Sequence, residues 1–310
     1  MQGKIRFLLL LILVLGACSS DKDSEFFFGS LGLGTPKILV ASGLNGSYGV
    51  VMYDINGNFI KVVKNYADND LIPRGLAAIN GSEFLISVDR IDHINKMDYV
   101  TLEETFIAHS SFAGNIYQLR RHPTYGIFVT ESTVIESFDD DGARIGNPRI
   151  AATVGACSSG GTSTKTMDFD SQGRLIVANI NNDDINMYDV SDPANTTCVT
   201  SNTTMGNINP VGVLAHSNGN IYVATQGDDS IYEFPADLSG AGTVIFNNIG
   251  IINNPTALAE MPDGSLLVGS NSTDAIVQIE TDGTLVNSSF IGDAFTNVVN
   301  DILIIQEGIQ

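Results

Sequence analysis

Aspartates recur at one position of the chain, ten residues after a repeated glycine: Asp183, Asp229 and Asp274. Asp92 stands eleven residues after a fourth such glycine. Carboxylates that a repeat brings together would offer hard oxygen ligands to Ca²⁺ or another divalent cation, or would attract a cationic ligand. Alternatively, each aspartate caps its own turn by accepting backbone N–H groups. Both interpretations stay open at this point.

Four other polar residues occur once rather than in every repeat: Arg74, Asp89, His93 and Glu131. Arg74 could clamp a carboxylate, or it could neutralise Asp89 and Glu131. His93 could act as a base, or it could simply be solvated. We expect these residues to join Asp183, Asp229 and Asp274 at one ligand-binding mouth, whose acidity would favour a cationic partner at low salt.

The sequence contains no signature of an activated nucleophile. There is no Gly-x-Ser-x-Gly, no His-Glu-x-x-His and no phosphate-binding loop. A metal-dependent hydrolase or lactonase would need oxygen ligands, and the candidates for that role are Glu131, Asn181, Asp229 and Asp274. No catalytic residue can be assigned.

The elements that position these residues belong to a repeat of about 45 residues. It is marked by glycines spaced 45, 47, 46, 45 and 44 residues apart: Gly81, Gly126, Gly173, Gly219, Gly264 and Gly308. β-rich runs follow the glycines, such as Leu-Ile-Val-Ala-Asn after Gly173, and alternating runs begin twelve residues beyond three of them. With turns such as Asp282-Gly283, the pattern predicts four strands per repeat, which is typical of a propeller blade.

The two ends of the chain complete one blade. Lys37 to Val40 matches a second strand with no first strand before it, and Asp301 to Ile305 matches a first strand with no second strand after it. Five full blades and this composite blade predict a closed, six-bladed, all-β propeller over residues 37–310. An open solenoid or a five-bladed ring would leave the C-terminal run unexplained.

The repeat, with Leu-Ile-Val-Ala-Asn, an acidic turn and Ile-x-x-Tyr/Phe, resembles the NHL and YVTN-type propellers over residues 37–308. That resemblance implies the fold. It leaves function open, because such propellers include lactonases, lyases and proteins that only bind.

The N-terminus reads as a targeting signal. Lys4 and Arg6 precede an apolar run too short to span a bilayer comfortably, and Leu15-Gly16-Ala17-Cys18 resembles the lipobox of bacterial lipoproteins. The resemblance implies a signal peptide over 1–17, a lipid on the thiol of Cys18 and a tether over 18–36. Ser19 after the lipidated cysteine favours the outer membrane, on its periplasmic or surface face. An ordinary signal peptide or an N-terminal anchor helix are the alternatives.

Charge restricts the partners. The formal charge is −20 and becomes −22 without residues 1–17, so a nucleic-acid partner is excluded. Together with the missing catalytic motifs, this predicts a lipid-anchored binding or scaffolding module of the cell envelope, for a protein, a cation or an envelope polymer. The metal-dependent hydrolase is the alternative.

Two cysteines remain besides Cys18. Cys157 and Cys198 form an even pair in a chain predicted to be exported, which favours a disulfide. Closing that loop would stabilise the fold by about 4 kcal/mol. Two free buried thiols are the alternative.

Overall fold

The structure is a computed structural model that describes residues 34–306 except 45–46, 68–70, 92, 110–114, 132–133, 147–148, 152, 159–163, 193, 207 and 293–297. Its strands form six blades and one additional small hairpin. The innermost strand of each blade contacts that of the next, and the series closes on itself around a central channel. The predicted six-bladed propeller is therefore confirmed.

The first three blades run from the channel outward as follows. Blade 1 contains β25 (Val299–Ile305), β1 (Lys37–Leu44), β2 (Ser47–Asp54) and β3 (Phe59–Tyr66). Blade 2 contains β4 (Ile72–Ala78), β5 (Glu83–Asp89), β6 (His93–Asp98) and β7 (Glu104–His109). Blade 3 contains β8 (Ile116–His122), β9 (Gly126–Glu131) and β10 (Val134–Phe138).

A hairpin of β11 (Thr153–Val154) and β12 (Cys157–Ser158) precedes the remaining blades. Blade 4 contains β13 (Thr164–Phe169), β14 (Leu175–Asn179), β15 (Asp184–Asp189) and β16 (Thr197–Asn202). Blade 5 contains β17 (Pro210–Ala215), β18 (Ile221–Thr225), β19 (Ser230–Phe234) and β20 (Thr243–Phe246). Blade 6 contains β21 (Pro255–Glu260), β22 (Leu266–Ser270), β23 (Ala275–Ile279) and β24 (Leu285–Ile291).

Blade 1 joins the two ends of the chain. β25 pairs antiparallel with β1, in a register that places Ile302 opposite Val40 and Ile305 opposite Lys37. The pairing covers the inner edge of β1, which would otherwise expose unpaired N–H and C=O groups. The composite blade predicted from the sequence is therefore present.

Burial falls from the middle of each blade to its rim. The second strands β14 and β18 are buried at every position, because their side chains pack against a neighbouring blade on each face. The outer strand β24 exposes its first five residues. The apolar core therefore lies between the blades, and the rim carries little of it.

Blade 3 departs from the repeat at its outer edge. In place of a fourth strand, the described residues show two isolated bridges, Ile135 to Ile150 and Phe138 to Arg144. The chain then reaches the hairpin β11–β12, where Cys157 is joined to Cys198 of β16 with Cα atoms 5.6 Å apart. The disulfide thus links the segment after blade 3 to the rim of blade 4.

Residues 1–17, Cys18 and most of the tether lie outside the described residues, so the targeting signal stays a prediction. Within the described ranges, no helix is long and apolar enough to cross a membrane.

Candidate functional site

The innermost strands are irregular at one shared position. Register shifts interrupt the pairing of the innermost strand in every blade. Bulges of this kind turn a side chain out of the ladder, and they are common beside functional sites. The residues skipped by the shifts include Arg74, Val211, Thr256 and Asn300. They come from four blades and line one cavity.

This cavity has a volume of about 150 Å³. It opens at what we call the upper mouth of the channel, where the loops between second and third strands meet the loops that enter the first strands. Its other described lining residues include Tyr117, Gln226 and Asn271. Of the residues predicted for the ligand site, only Arg74 lines this cavity.

Arg74 is paired with Asp89. Its Nε and Nη2 donate to Asp89 Oδ2 at 3.2 and 3.0 Å, and the carboxylate of Asp89 is buried. Its Nη1 donates to Asn300 Oδ1 at 3.3 Å, which connects blade 2 to blade 1. The salt bridge offered as one of two alternatives is therefore formed.

The repeated aspartates lie at the junctions between blades. Asp183 Oδ1 accepts the backbone N–H of Asn209 at 2.8 Å, and Asp229 Oδ1 accepts that of Asn254 at 2.6 Å. Each bond runs from the turn after a second strand to the loop that enters the next blade. Asp183, Asp229 and Asp274 share a left-handed backbone with φ near 52–54°, a conformation that aspartate tolerates. This arrangement resembles the turn-capping interpretation, with the donor supplied by the next blade.

The remaining predicted residues are spread over separate blades. Glu131 ends β9 and is 3% exposed, His93 begins β6 and is half-buried, and Asn181 is exposed in the turn after β14. Among the described residues, no group of three or more His, Cys, Asp or Glu could hold a metal ion. The acidic members of the proposed metal set, Glu131, Asp229 and Asp274, are thus not assembled into one cluster.

A buried polar network, which the sequence analysis missed, crosses the channel below the cavity. Asp301 is completely buried and accepts from Arg120 Nη1 at 2.7 Å, Gln118 Nε2 at 3.1 Å and Leu76 N at 2.8 Å. Arg120 Nε also lies 3.8 Å from Asp168 Oδ1. The network ties the C-terminal strand to blades 2, 3 and 4.

Two pKa shifts follow from this burial. Burial alone would lower the pKa of Arg120, but the charge and hydrogen bonds of Asp301 raise it. Burial raises the pKa of Asp168, against the opposing effect of Arg120. The sequence signal was available only for Asp301, which is the single charged residue of β25; β8 and β13 contain other polar residues besides Gln118, Arg120 and Asp168.

Strand β4 approaches β8 closely at this level. A Cβ on Gly75 would lie 2.4 Å from the backbone nitrogen of Leu119. Only glycine permits that approach, which brings Leu76 N within reach of the network.

The opposite, lower mouth combines apolar and charged residues. It holds a cavity of about 280 Å³ lined by apolar residues such as Leu214, Ala259 and Leu303 and by the charged residues Arg120, Arg121, Asp168 and Glu260. His216, which lies in the turn after β17, is 7% exposed, and its Nε2 is 2.9 Å from Gly264 O of blade 6. The ring of His216 therefore links two neighbouring turns.

These observations define the class: the chain is a six-bladed β-propeller with a small polar cavity at one mouth of its channel. No protein-family model matches the sequence, and no curated protein is similar to it. Similarity is found among solved structures.

Three solved structures share the fold. A chain in the crystal structure of a nidogen/laminin complex covers 87% of this chain and 98% of its own length, with a TM-score of 0.67 and 15% identity. A Bacteroides caccae protein of unknown function covers 87% of this chain and 99% of its own length, with a TM-score of 0.59 and 14% identity. A catalytically inactive virginiamycin B lyase from Staphylococcus aureus with quinupristin covers 74% of this chain and 74% of its own length, with a TM-score of 0.58 and 13% identity. At these identities the similarity shows the fold alone, with binding proteins and enzymes among the neighbours.

Proposed function

We propose that the chain is a lipid-anchored propeller of the cell envelope that binds a partner at its upper mouth and catalyses no reaction. The anchor would be the diacylglycerol on Cys18, and Ser19 favours the outer membrane. The partner would be a protein or an envelope polymer that places a small group in the cavity.

The observation that carries the proposal is how the polar groups at this mouth are used. Asp183 and Asp229 accept backbone N–H groups of the next blade, and Asp89 is paired with Arg74. Groups engaged in holding blades together are poorly suited to transfer protons or to ligate a metal. A general base must instead reach a substrate proton.

Cavity size supports the same proposal. A volume of about 150 Å³ is below the roughly 300–1,000 Å³ that is usual for small-molecule sites. Such a cavity suits the tip of a larger partner better than a whole substrate. The surrounding rim of loops would supply the rest of the contact area.

The binding proposal can be tested by crosslinking in intact cells, followed by identification of partners recovered with the full chain. Arg74→Ala removes a lining side chain, and Arg121→Ala at the lower side serves as a matched control. Loss of the partner only in Arg74→Ala, with a stable fold, supports binding at the upper mouth. Equal recovery by both variants would place binding elsewhere.

The metal-dependent hydrolase is tested on the same protein. Elemental analysis of the full chain, with assays on a panel of lactones with and without added divalent cations, would show a bound ion and turnover if it were an enzyme. We expect neither. Metal-dependent turnover that disappears in Glu131→Gln would overturn the binding proposal.

The anchor has its own test. Cys18→Ser removes the thiol that accepts the diacylglycerol, so label from a radioactive fatty acid should vanish from the protein. Undiminished label in the variant would end the lipoprotein interpretation.

A further inference from the structure

The cavity at the upper mouth is rich in hydrogen-bond donors that lack acceptors. The side-chain NH₂ group of Asn271 donates to no described residue, although its Oδ1 accepts from Val299 N at 2.7 Å and from Thr256 Oγ1 at 3.3 Å. The side-chain amide of Gln226 and the hydroxyl of Tyr117 also have no hydrogen-bond partner in the described part of the chain.

The hydroxyl of Thr166 is a fourth donor without an acceptor. Thr166 lines the cavity, and its buried Oγ1 has no hydrogen-bond partner among the described residues. Leaving a buried hydroxyl unpaired is unfavourable, so a bound ligand that accepts from it would recover that cost.

Two amide acceptors of the cavity are already used. Asn271 Oδ1 holds two donors, and Asn300 Oδ1 accepts from Arg74. No carboxylate is found among the described lining residues, whereas Arg74 is present and its side chain is 30% exposed. The cavity therefore offers a ligand N–H and O–H donors and one partly neutralised positive charge, and no described lining carboxylate opposes an anion.

We propose that this cavity binds a carboxylate group, the acidic tip of a partner's side chain or chain end. A carboxylate accepts about four hydrogen bonds and matches the donors of Asn271, Gln226, Tyr117 and Arg74. The inference rests on the proposed binding function and specifies the chemistry of its ligand. It also reverses the cationic ligand predicted from the overall acidity, because local donors rather than net charge decide what a small cavity holds.

Acetate is the probe, with acetamide as its neutral isostere and ethylammonium as a cation, each titrated into the full chain and followed by NMR or calorimetry. We expect acetate to bind about tenfold more tightly than acetamide, because hydrogen bonds to a charged acceptor are the stronger ones. Binding of ethylammonium in preference to acetate, or of acetamide as tightly as acetate, would overturn the assignment.

Asn271→Asp is the decisive variant. It retains the Oδ1 that accepts from Val299 N, removes the NH₂ donor and adds a negative charge to the cavity. Acetate affinity should fall at least about tenfold while melting is unchanged. Gln226→Glu should act in the same direction and does not depend on the contacts of Asn271.

Asn287→Asp is the matched control. Asn287 lies on β24 of the same blade, exposed, and its Oδ1 also accepts a backbone N–H, that of Ser289 at 3.0 Å. This variant adds the same charge outside the cavity and should leave acetate affinity within about twofold, since distant surface charges are screened. An equal loss in both variants would show a general charge effect and would overturn the proposed site.

The failure of this inference can be distinguished from failure of the binding function. If Asn271→Asp still recovers the crosslinked partner at the wild-type level, the carboxylate assignment falls and the binding function stands. If the wild-type chain recovers no partner while acetate binding is lost in Asn271→Asp, the carboxylate site stands and the binding function falls.

Discussion

The two mouths of the channel are built from the same six strands but differ in chemistry. At the upper mouth, bulges present Arg74, Thr256 and Asn300 to a small polar cavity. At the lower mouth, the same strands line a larger cavity with apolar residues such as Leu214 and Leu303 and with charged residues of both signs, among them Arg121 and Glu260. The network around Asp301 separates the two.

Polar residues that recur between blades and polar residues that differ between blades have different roles. Asp183 and Asp229 occupy a position at which aspartate recurs in blades 4, 5 and 6, and they hold consecutive blades together. Tyr117, Gln226 and Asn271 occupy positions where the blades differ, and they line the cavity. Residues that a repeat preserves serve the fold, and residues that vary between blades are free to serve a ligand.

Deleting residues 298–310 should have the largest effect, because β25 contributes to both mouths and pairs with β1. The truncated ring would expose an apolar strand edge and lose Asp301. We expect loss of cooperative melting and aggregation, measured by calorimetry and light scattering. Unchanged melting would contradict the shared blade.

Asp301→Ala should have the second-largest effect, because it removes the centre of the polar network between the two mouths but keeps strand β25. It leaves the buried Arg120 guanidinium without its main partner, which costs roughly 3–5 kcal/mol of unfolding free energy. Asp140→Ala is the control: it removes the exposed carboxylate paired with Arg121 at 2.6 Å and should cost under about 1 kcal/mol. Urea denaturation compares the two, and equal losses would show that the network contributes little.

Removing the disulfide should affect neither mouth directly, because Cys157 and Cys198 lie at the rim of blade 4. Cys157→Ser with Cys198→Ser should lower the unfolding free energy by roughly 2–4 kcal/mol without changing acetate affinity. Mass spectrometry of unreduced peptides should show the two cysteines joined in the native protein. Quantitative alkylation of both thiols would contradict the bridge.

A smaller effect is expected at the blade junctions of the upper mouth. Asp229→Ala removes the acceptor of the Asn254 N–H and should cost about 1 kcal/mol, as losses of capping side chains do. Thermal denaturation measures the loss. Asp237→Ala, which removes an exposed aspartate bonded only within its own turn, provides the comparison.

The smallest effect concerns pH at the lower side. Burial lowers the pKa of His122, whose Nδ1 accepts from Thr124 N at 3.2 Å and Tyr125 N at 3.3 Å. Its contribution is therefore complete above pH 6.5 and is lost as the pH falls from there through the lowered pKa of the folded state. Between pH 8 and pH 5, the urea midpoint of the wild-type chain should fall slightly further than that of His122→Gln. Identical pH profiles would contradict this role.

The architecture was accessible from the sequence because it depends on repetition. Glycine spacing, alternation and the matching ends at Lys37 and Asp301 are local patterns that a single chain displays.

The cavity was less accessible, because it depends on which residues from distant blades meet. Arg74 could be singled out by its place before an innermost strand. The unpaired NH₂ group of Asn271 could not be singled out from the sequence. Its availability depends on Val299, 28 residues further along the chain, whose backbone N–H donates to Asn271 Oδ1. The network of Asp301 with Gln118 and Arg120 joins residues more than 180 positions apart.

The composite blade also sets an order of events during folding. When the chain is synthesised from its N-terminus, β1 emerges early but cannot acquire its inner neighbour until residues 299–305 have been made. The pairing of Lys37 with Ile305 spans nearly the whole propeller, and contacts of such long sequence separation are slow to form. Closure of the ring therefore requires the C-terminal strand, and the protein has its finished channel only when Asp301 has reached Arg120.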